Sequence, residues 1–299
     1  MPTLKDHQSN EYIKLLIEGD SKSGKTGALA SLVKAGYELR VLDYDNGLDV
    51  LKQFILRDSP GDLDKVEFRT LRDKRIAGPA GPKIDGTPKA FSDGIKMLDR
   101  WQYRTDDGVE IDYGVPAVWG PGVICILDSL TFFGDAAFDY REPLAPKGRD
   151  GKYDLRAVYK DAQDAVENVI ALLTSEHFRT NVIVISHVKY VDNPDGSRKG
   201  YPSAIGSALS PLILRYFNNV VRFTMRGAKR SIETVSNPMF DLANAKPFEM
   251  KASYDIENGL AEIFACLRPP PRKETTSPSK SLVVTATPTT RLVKPVRRV

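Results

Sequence analysis

The 299-residue chain reads as an α/β protein: a mostly parallel central sheet flanked by helices, with a disordered tail after it. Three observations predict this class. Short apolar runs alternate with stretches of helical period, the pattern that βαβ units packed in layers require. One strand-to-helix junction, residues 19–26, carries glycines and a lysine in a fixed pattern, as expected where a strand of such a sheet turns sharply into a helix. From Arg268 onward the periodicity stops, and Pro, Ser and Thr dominate, a composition that cannot offset the entropy of ordering.

The strand candidates, in order, are residues 12–18, 39–45, 66–71, 123–128, 182–187, 219–224, 231–236 and 248–254. Helices are expected after Gly24 up to about residue 35, across 92–101, and from about 155 to 178. The last places Val158, Ala162, Ala165, Val166, Val169, Ile170 and Leu173 at helical spacing, which marks a core-packing face. Residues 72–89, charged and rich in Gly and Pro, read as a long loop. Residues 102–119, with Asp107 and Gly108 at the centre, read as a hairpin inserted before the fourth strand. The expected organisation is one domain over 1–267 and a tail over 268–299.

Composition narrows the function classes. At 41% hydrophobic and 27% charged residues, the chain has the balance of a globular protein. It has no run of 18 apolar residues to span a bilayer and no basic-then-apolar start, so no membrane role and a cytoplasmic location are expected. Cys125 and Cys266 lie far apart in apolar stretches, consistent with two reduced thiols. The net charge of +4 hides an asymmetry. The tail carries +7, which leaves −3 for residues 1–267. The tail is thus suited to non-specific phosphate attraction, to solubility or to partner docking.

The run Gly19, Asp20, Ser21, Lys22, Ser23, Gly24, Lys25, Thr26 follows an apolar strand and precedes a helical stretch. This is the strand, G-x-x-x-x-G-K-[ST], helix arrangement of a Walker A phosphate loop. Its glycines let successive N–H groups turn toward phosphates, and the helix N-terminus adds its positive dipole end. Lys25 is then expected on the phosphates and Thr26 on Mg²⁺, with ATP as the nucleotide. Magnesium also needs a carboxylate near the phosphates. Asp128, ending the apolar run GVICILD, stands where that carboxylate belongs, or where a plain strand-end cap does. Asp45, at the end of the second strand, is the candidate to orient the attacking water; an Asx turn with Asn46 and Gly47 is its alternative role. His187 follows Ser186 at the end of the fifth strand, either as a γ-phosphate sensor or as a satisfied hydrogen-bonder.

These residues resemble the RecA-type recombinase ATPases, and most closely the phage RecA-like ATPases of single-strand annealing. The resemblance runs over most of residues 12–267. It rests on the phosphate loop, on Asp43, Asp45 and Asp49 in the run DYDNGLD, on Asp128-Ser129, and on Asn244-Ala245-Lys246-Pro247-Phe248 ahead of YDIENGL. It implies a RecA-like P-loop core, Asp45 as catalytic carboxylate, and a homo-oligomer with ATP at subunit interfaces. Lys246, with Lys251 behind it, would reach a neighbour's ATP. The chain departs from the family pattern in the shorter Asp45, in His187 where Gln is usual, and in the 102–119 insertion.

Where that family enters a DNA-binding loop, this chain runs through residues 188–206. Lys189, Arg198 and Lys199 there can neutralise phosphates, and Tyr190 and Tyr201 can stack bases. Gly196, Gly200 and Pro202 are expected to keep the segment irregular. The leading expectation is a DNA-dependent ATPase that binds single-stranded DNA and assists phage DNA annealing or recombination. The rivals are a P-loop ATPase acting on protein assemblies and a slow, nucleotide-gated module recruiting partners such as single-strand-binding protein. A small-molecule kinase fits less well, since no acceptor-binding motif or Arg-rich lid is evident.

Overall fold

Apolar residues on both faces of a strand require helices on both sides of its sheet, and β1 (Lys14–Gly19) and β5 (Thr180–Ser186) are buried at every position. The computed structural model describes residues 11–79, 81–105, 107–147, 154–206 and 208–268. Most of the tail expected to be disordered, from 269 onward, therefore lies outside the described residues. The main sheet also contains β2 (Glu38–Asp43), β3 (Val66–Thr70), β4 (Gly120–Asp128), β6 (Asn219–Arg226), β7 (Lys229–Glu233) and β8 (Ser253–Asp255). Its order is β8-β7-β6-β1-β5-β4-β2-β3. The pairs from β6 across to β3 are parallel, and β7 and β8 continue antiparallel at one edge. This is the mostly parallel α/β architecture, with helices on both faces, that the sequence predicts.

Side chains alternate across each strand, so the sheet divides the core in two. Leu16, Leu42, Leu127 and Val184 face one layer, under the helices Ala90–Asp99, Leu130–Arg141 and Leu155–Thr174. Leu15, Ile17, Val41, Ile126 and Ile183 face the other. That layer is covered by the helical turns Lys25–Ala28 and Ala30–Lys34 and by the helices Asp49–Asp58 and Gly259–Leu267. The helix from Leu155 is capped by Asp154, whose carboxylate accepts the N–H of Arg156 at 3.0 Å. It ends at Thr174 rather than near 178, because Ser175 turns to extended backbone and Phe178 is buried ahead of β5.

The 102–119 insertion contains the expected hairpin, Gln102–Arg104 against Glu110–Asp112. Among the described residues of 72–89, the regular structure is a two-residue ribbon, Arg75–Ile76 against Lys83–Ile84. Two expectations need correction. Residues 188–206 are not irregular: Val188–Asp192 and Arg198–Pro202 form an antiparallel ribbon. Gly196, at φ 81°, supplies the turn, Gly200 admits a ring against its backbone, and Pro202 falls at the ribbon's last position, opposite Val188. The last strand is also shorter than 248–254. Lys246 to Met250 curl into a turn, with the N–H of Met250 donating to the Lys246 carbonyl at 3.1 Å, and Phe248 is fully exposed. Among the described residues, no helix is long and apolar enough to cross a membrane.

Candidate functional site

The strand order determines which residues meet. β5 lies between β1 and β4, and β4 pairs with β2, so the carboxyl ends of four parallel strands stand side by side. Glu18 is level with Ser186, Ile185 with Asp128, and Asp128 with Asp43. Residues that follow these positions therefore project from one edge, where ligands bind in open α/β sheets.

At that edge the phosphate loop leaves β1 and turns back on itself, the Ser23 N–H donating to the Asp20 carbonyl at 3.2 Å. Gly24 has φ 97°, left-handed backbone that suits glycine, and a Cβ there would stand 2.4 Å from Ile256 Cδ1. Lys25 is 6% exposed and donates to the carbonyls of Gly19 at 2.8 Å and Asp20 at 2.9 Å. Burial holds its pKa below the ordinary lysine value, while the charges of Asp128, Asp45 and Asp20 oppose that shift.

Thr26 Oγ1 donates to Asp128 Oδ2 at 2.8 Å. The other carboxylate oxygen, Oδ1, is buried without a hydrogen-bond partner, and burial pushes the Asp128 carboxyl up to about 7. Mg²⁺ takes oxygen ligands, commonly one or two carboxylates with substrate phosphates completing its shell. A hydroxyl beside a carboxylate with an orphaned oxygen fits that ion. Among the described residues no group of three or more His, Cys, Asp or Glu could hold a metal.

The two candidate roles of Asp45 separate in the structure. Asp43 closes the turn, accepting the Asn46 N–H at 2.7 Å and the Thr70 hydroxyl at 3.1 Å. Asp45 instead lines the cleft beside Lys25, Thr26 and His187. His187 Nδ1 lies 3.3 Å from Thr131 Oγ1, and the Phe132 ring meets the imidazole edge-on at 5.9 Å. Burial and then the Lys25 charge lower the His187 pKa, which favours neutral imidazole near pH 7.

The cleft holds about 930 Å³. Its far walls come from segments that sequence reasoning missed. Val50, Phe54 and Arg57 line one side from the helix Asp49–Asp58, and Arg230, Ile256 and Glu257 line the other. Arg57 Nη1 reaches Glu257 Oε1 at 3.9 Å. A close fit of Phe54 against Gly27, where a Cβ would meet Phe54 Cε2 at 2.8 Å, sets the angle of the helix that carries this wall. Ile256 and Glu257 fall in the YDIENGL run, whose place in a cleft wall the sequence does not reveal, and no motif marks the others. The one available signal was the apolar spacing of Leu51 and Ile55, whose side chains are buried.

The five candidate nucleic-acid residues all lie on the 188–202 ribbon but on opposite faces. Lys189 and Tyr201 are cross-strand partners, as are Val191 and Lys199, on one face. Tyr190 and Arg198 lie on the other, with the Arg198 guanidinium 4.7 Å from the Tyr190 ring centroid. Lys189 Nζ donates to the Gly206 carbonyl at 3.2 Å, and Lys199 Nζ pairs with Asp241 at 2.6 Å. Lys246 pairs with Glu249 at 3.3 Å and Lys251 with Glu262 at 2.6 Å; neither lines the cleft of its own chain.

A family model described as an AAA domain matches residues 11–244. No curated protein matches the chain. Among solved structures, the RadB recombinase is similar at 14% identity, with 83% of this chain and 89% of that chain covered and a TM-score of 0.41. The ATPase EscN of the enteropathogenic E. coli type III secretion system, solved with its central stalk EscO, is similar at 13% identity and a TM-score of 0.38. That match covers 71% of this chain and 42% of EscN. A prototypical ATPase from the type III secretion system of pathogenic bacteria gives 14% identity, 71% and 52% coverage, and a TM-score of 0.37. With a phosphate loop at the carboxyl edge of a mostly parallel sheet and a family match over residues 11–244, the chain belongs to the AAA domain family of P-loop ATPase-type domains.

Proposed function

We propose that the protein binds Mg·ATP in this cleft and hydrolyses it, with single-stranded DNA engaging the 188–202 ribbon, in DNA annealing or recombination of the phage type. The observation that carries the nucleotide reading is the trio Lys25, Thr26 and Asp128: an ammonium resting on loop carbonyls, and a hydroxyl on a buried carboxylate with a free oxygen. Phosphoryl transfer asks the protein mainly for positioning and charge stabilisation. Lys25 exchanges its carbonyl partners for phosphate oxygens, and the loop N–H groups and helix N-terminus face the same charge. Thr26 and Asp128 hold Mg²⁺, which when bound neutralises charge on the phosphates. Asp45, released from any turn role by Asp43, orients the attacking water. His187, as neutral imidazole, offers a hydrogen bond at the γ-phosphate end. The apolar end of the cleft, at Val50, Phe54 and Ile256, suits a nucleobase.

DNA enters this reading because the ribbon grows directly from β5, one residue after His187, and presents cations and tyrosines together. A homo-oligomer with ATP at its interfaces, Lys246 acting in trans, and a basic tail attracting DNA or single-strand-binding protein complete the proposal. Steady-state ATP hydrolysis with and without single-stranded DNA at low salt, with Lys25→Ala as the blank, tests it. Strong stimulation by DNA supports it. Turnover indifferent to DNA points instead to work on protein assemblies, and binding without turnover to a nucleotide-gated module.

A further inference from the structure

The second residue of the phosphate loop is tied to the ribbon. The Tyr190 hydroxyl donates to Asp20 Oδ1 at 3.1 Å, and Arg222 Nη2 donates to Asp20 Oδ2 at 3.1 Å and to the Tyr190 hydroxyl oxygen at 3.2 Å. Arg222 comes from β6, is 5% exposed, and lies with its guanidinium carbon 3.4 Å from the Phe240 ring centroid. Phe240 also meets Tyr190 edge-on at 6.0 Å and fills the space beside Gly200. Arg222 Nη1 is 3.8 Å from Glu18 Oε1. Burial pushes the Glu18 carboxyl up to about 8, so near pH 7 it is chiefly neutral and Asp20 is the carboxylate that answers the Arg222 charge. On its other side Asp20 holds Lys25, whose ammonium donates to its backbone carbonyl at 2.9 Å.

We infer that Asp20, Tyr190 and Arg222 form a switch through which polyphosphate in the loop tightens the docking of the 188–202 ribbon. The inference rests on the nucleotide reading of the same loop and deepens it. Asp20 stands between two cations, Lys25 inside the loop and Arg222 outside it. A polyphosphate draws the Lys25 ammonium to itself and sets negative charge inside the loop. Both changes drive the Asp20 carboxylate outward, onto Arg222 and the Tyr190 hydroxyl. The ribbon, held by Tyr190, is then fastened more firmly to the loop. Tyr190 and Arg222 are positioning residues in this device, since they act on the phosphate site through Asp20.

Hydrogen–deuterium exchange of the full chain tests this, following amides of residues 188–192 and 198–201. The probe is Mg²⁺ with a phosphorothioate ATP analogue, at a concentration shown to saturate by titration of a fluorescent analogue. In the wild type the analogue should slow ribbon exchange by about tenfold. Asp20→Asn keeps the shape but removes the charge, and should lose most of that response while still taking up the analogue at higher concentration. A full response in Asp20→Asn, or an unchanged wild-type ribbon at saturation, would overturn the switch. Tyr190→Phe without nucleotide should speed ribbon exchange by roughly threefold to tenfold, the loss of one hydrogen bond; an unchanged rate would overturn the docking role. If the wild type fails to bind the analogue, the nucleotide reading fails and the switch fails with it. The Tyr190→Phe comparison still decides whether the ribbon is held as described.

Discussion

Replacing Gly200 with alanine should unseat the ribbon at a cost set by Phe240. A Cβ at residue 200 would stand 2.0 Å from Phe240 Cε1 and 2.7 Å from Cζ, well inside van der Waals contact. The ring is 4% exposed and carries the Arg222 guanidinium on one face, so moving it uncovers a buried cation. The ribbon's own retreat breaks the bond from the Gly200 N–H to the Met239 carbonyl at 2.9 Å. Overpacking of this kind costs about 1–3 kcal/mol. For a domain of this size each kcal/mol lowers Tm by about 2–4 °C, so Gly200→Ala should melt about 2–12 °C below wild type. A double-mutant cycle by urea unfolding isolates the cause. In a Phe240→Leu background, Gly200→Ala should cost less than half as much, a coupling of about 1 kcal/mol. Additive costs would refute the assignment of the strain to this ring.

Two further outcomes are expected. The Glu18 carboxyl, raised by burial from 4.5 to about 8, keeps its proton in the folded state where the unfolded chain gives it up. Its contribution to stability is full below about pH 4.5 and is lost as pH rises through 8. Between pH 5 and 8.5 the wild type should therefore lose on the order of 2–4 kcal/mol more unfolding free energy than Glu18→Gln; parallel pH curves from urea titrations would contradict this. Phe54→Ala should weaken ATP binding about tenfold through lost stacking and leave inorganic tripolyphosphate binding unchanged. Equal losses for both ligands would mean that Phe54 acts only by bracing Gly27.

The phosphate loop was legible because its chemistry needs contiguous residues, and the parallel strands because burial on both faces leaves unbroken apolar runs at their centres, LLI in β1 and VIVI in β5. The helix Leu130–Arg141 was not. Phe132, Phe133 and Phe138 all pack into the core, which blurs any single apolar stripe. The ribbon at 188–202 was misread because its glycines and proline look like breakers in one dimension. In three, one makes the turn, one admits Phe240, and the proline falls at the ribbon's end. The choice between Asp43 and Asp45 for the turn also required geometry, since only Tyr44 separates them, Asp43 ending β2 and Asp45 lying just beyond it. The cleft's outer walls, Phe54 from one end of the chain and Arg230, Ile256 and Glu257 from the other, meet only through the strand order. The Asp20 network joins residues about 170 and 200 positions away, a separation that no local pattern reports.

The proposed function stands on the 19–26 loop, with Thr26 and Asp128, acting as a Mg·nucleotide site. Isothermal titration of the full chain with ATP, with and without Mg²⁺, tests it most directly, with Lys25→Ala alongside and a melting curve to confirm that the variant is folded. The wild type should bind saturably and more tightly with Mg²⁺, and Lys25→Ala should bind about 10- to 100-fold more weakly, the loss of a charged hydrogen-bonding group from the phosphates. Equal affinity in the variant, or no binding by the wild type, would contradict it.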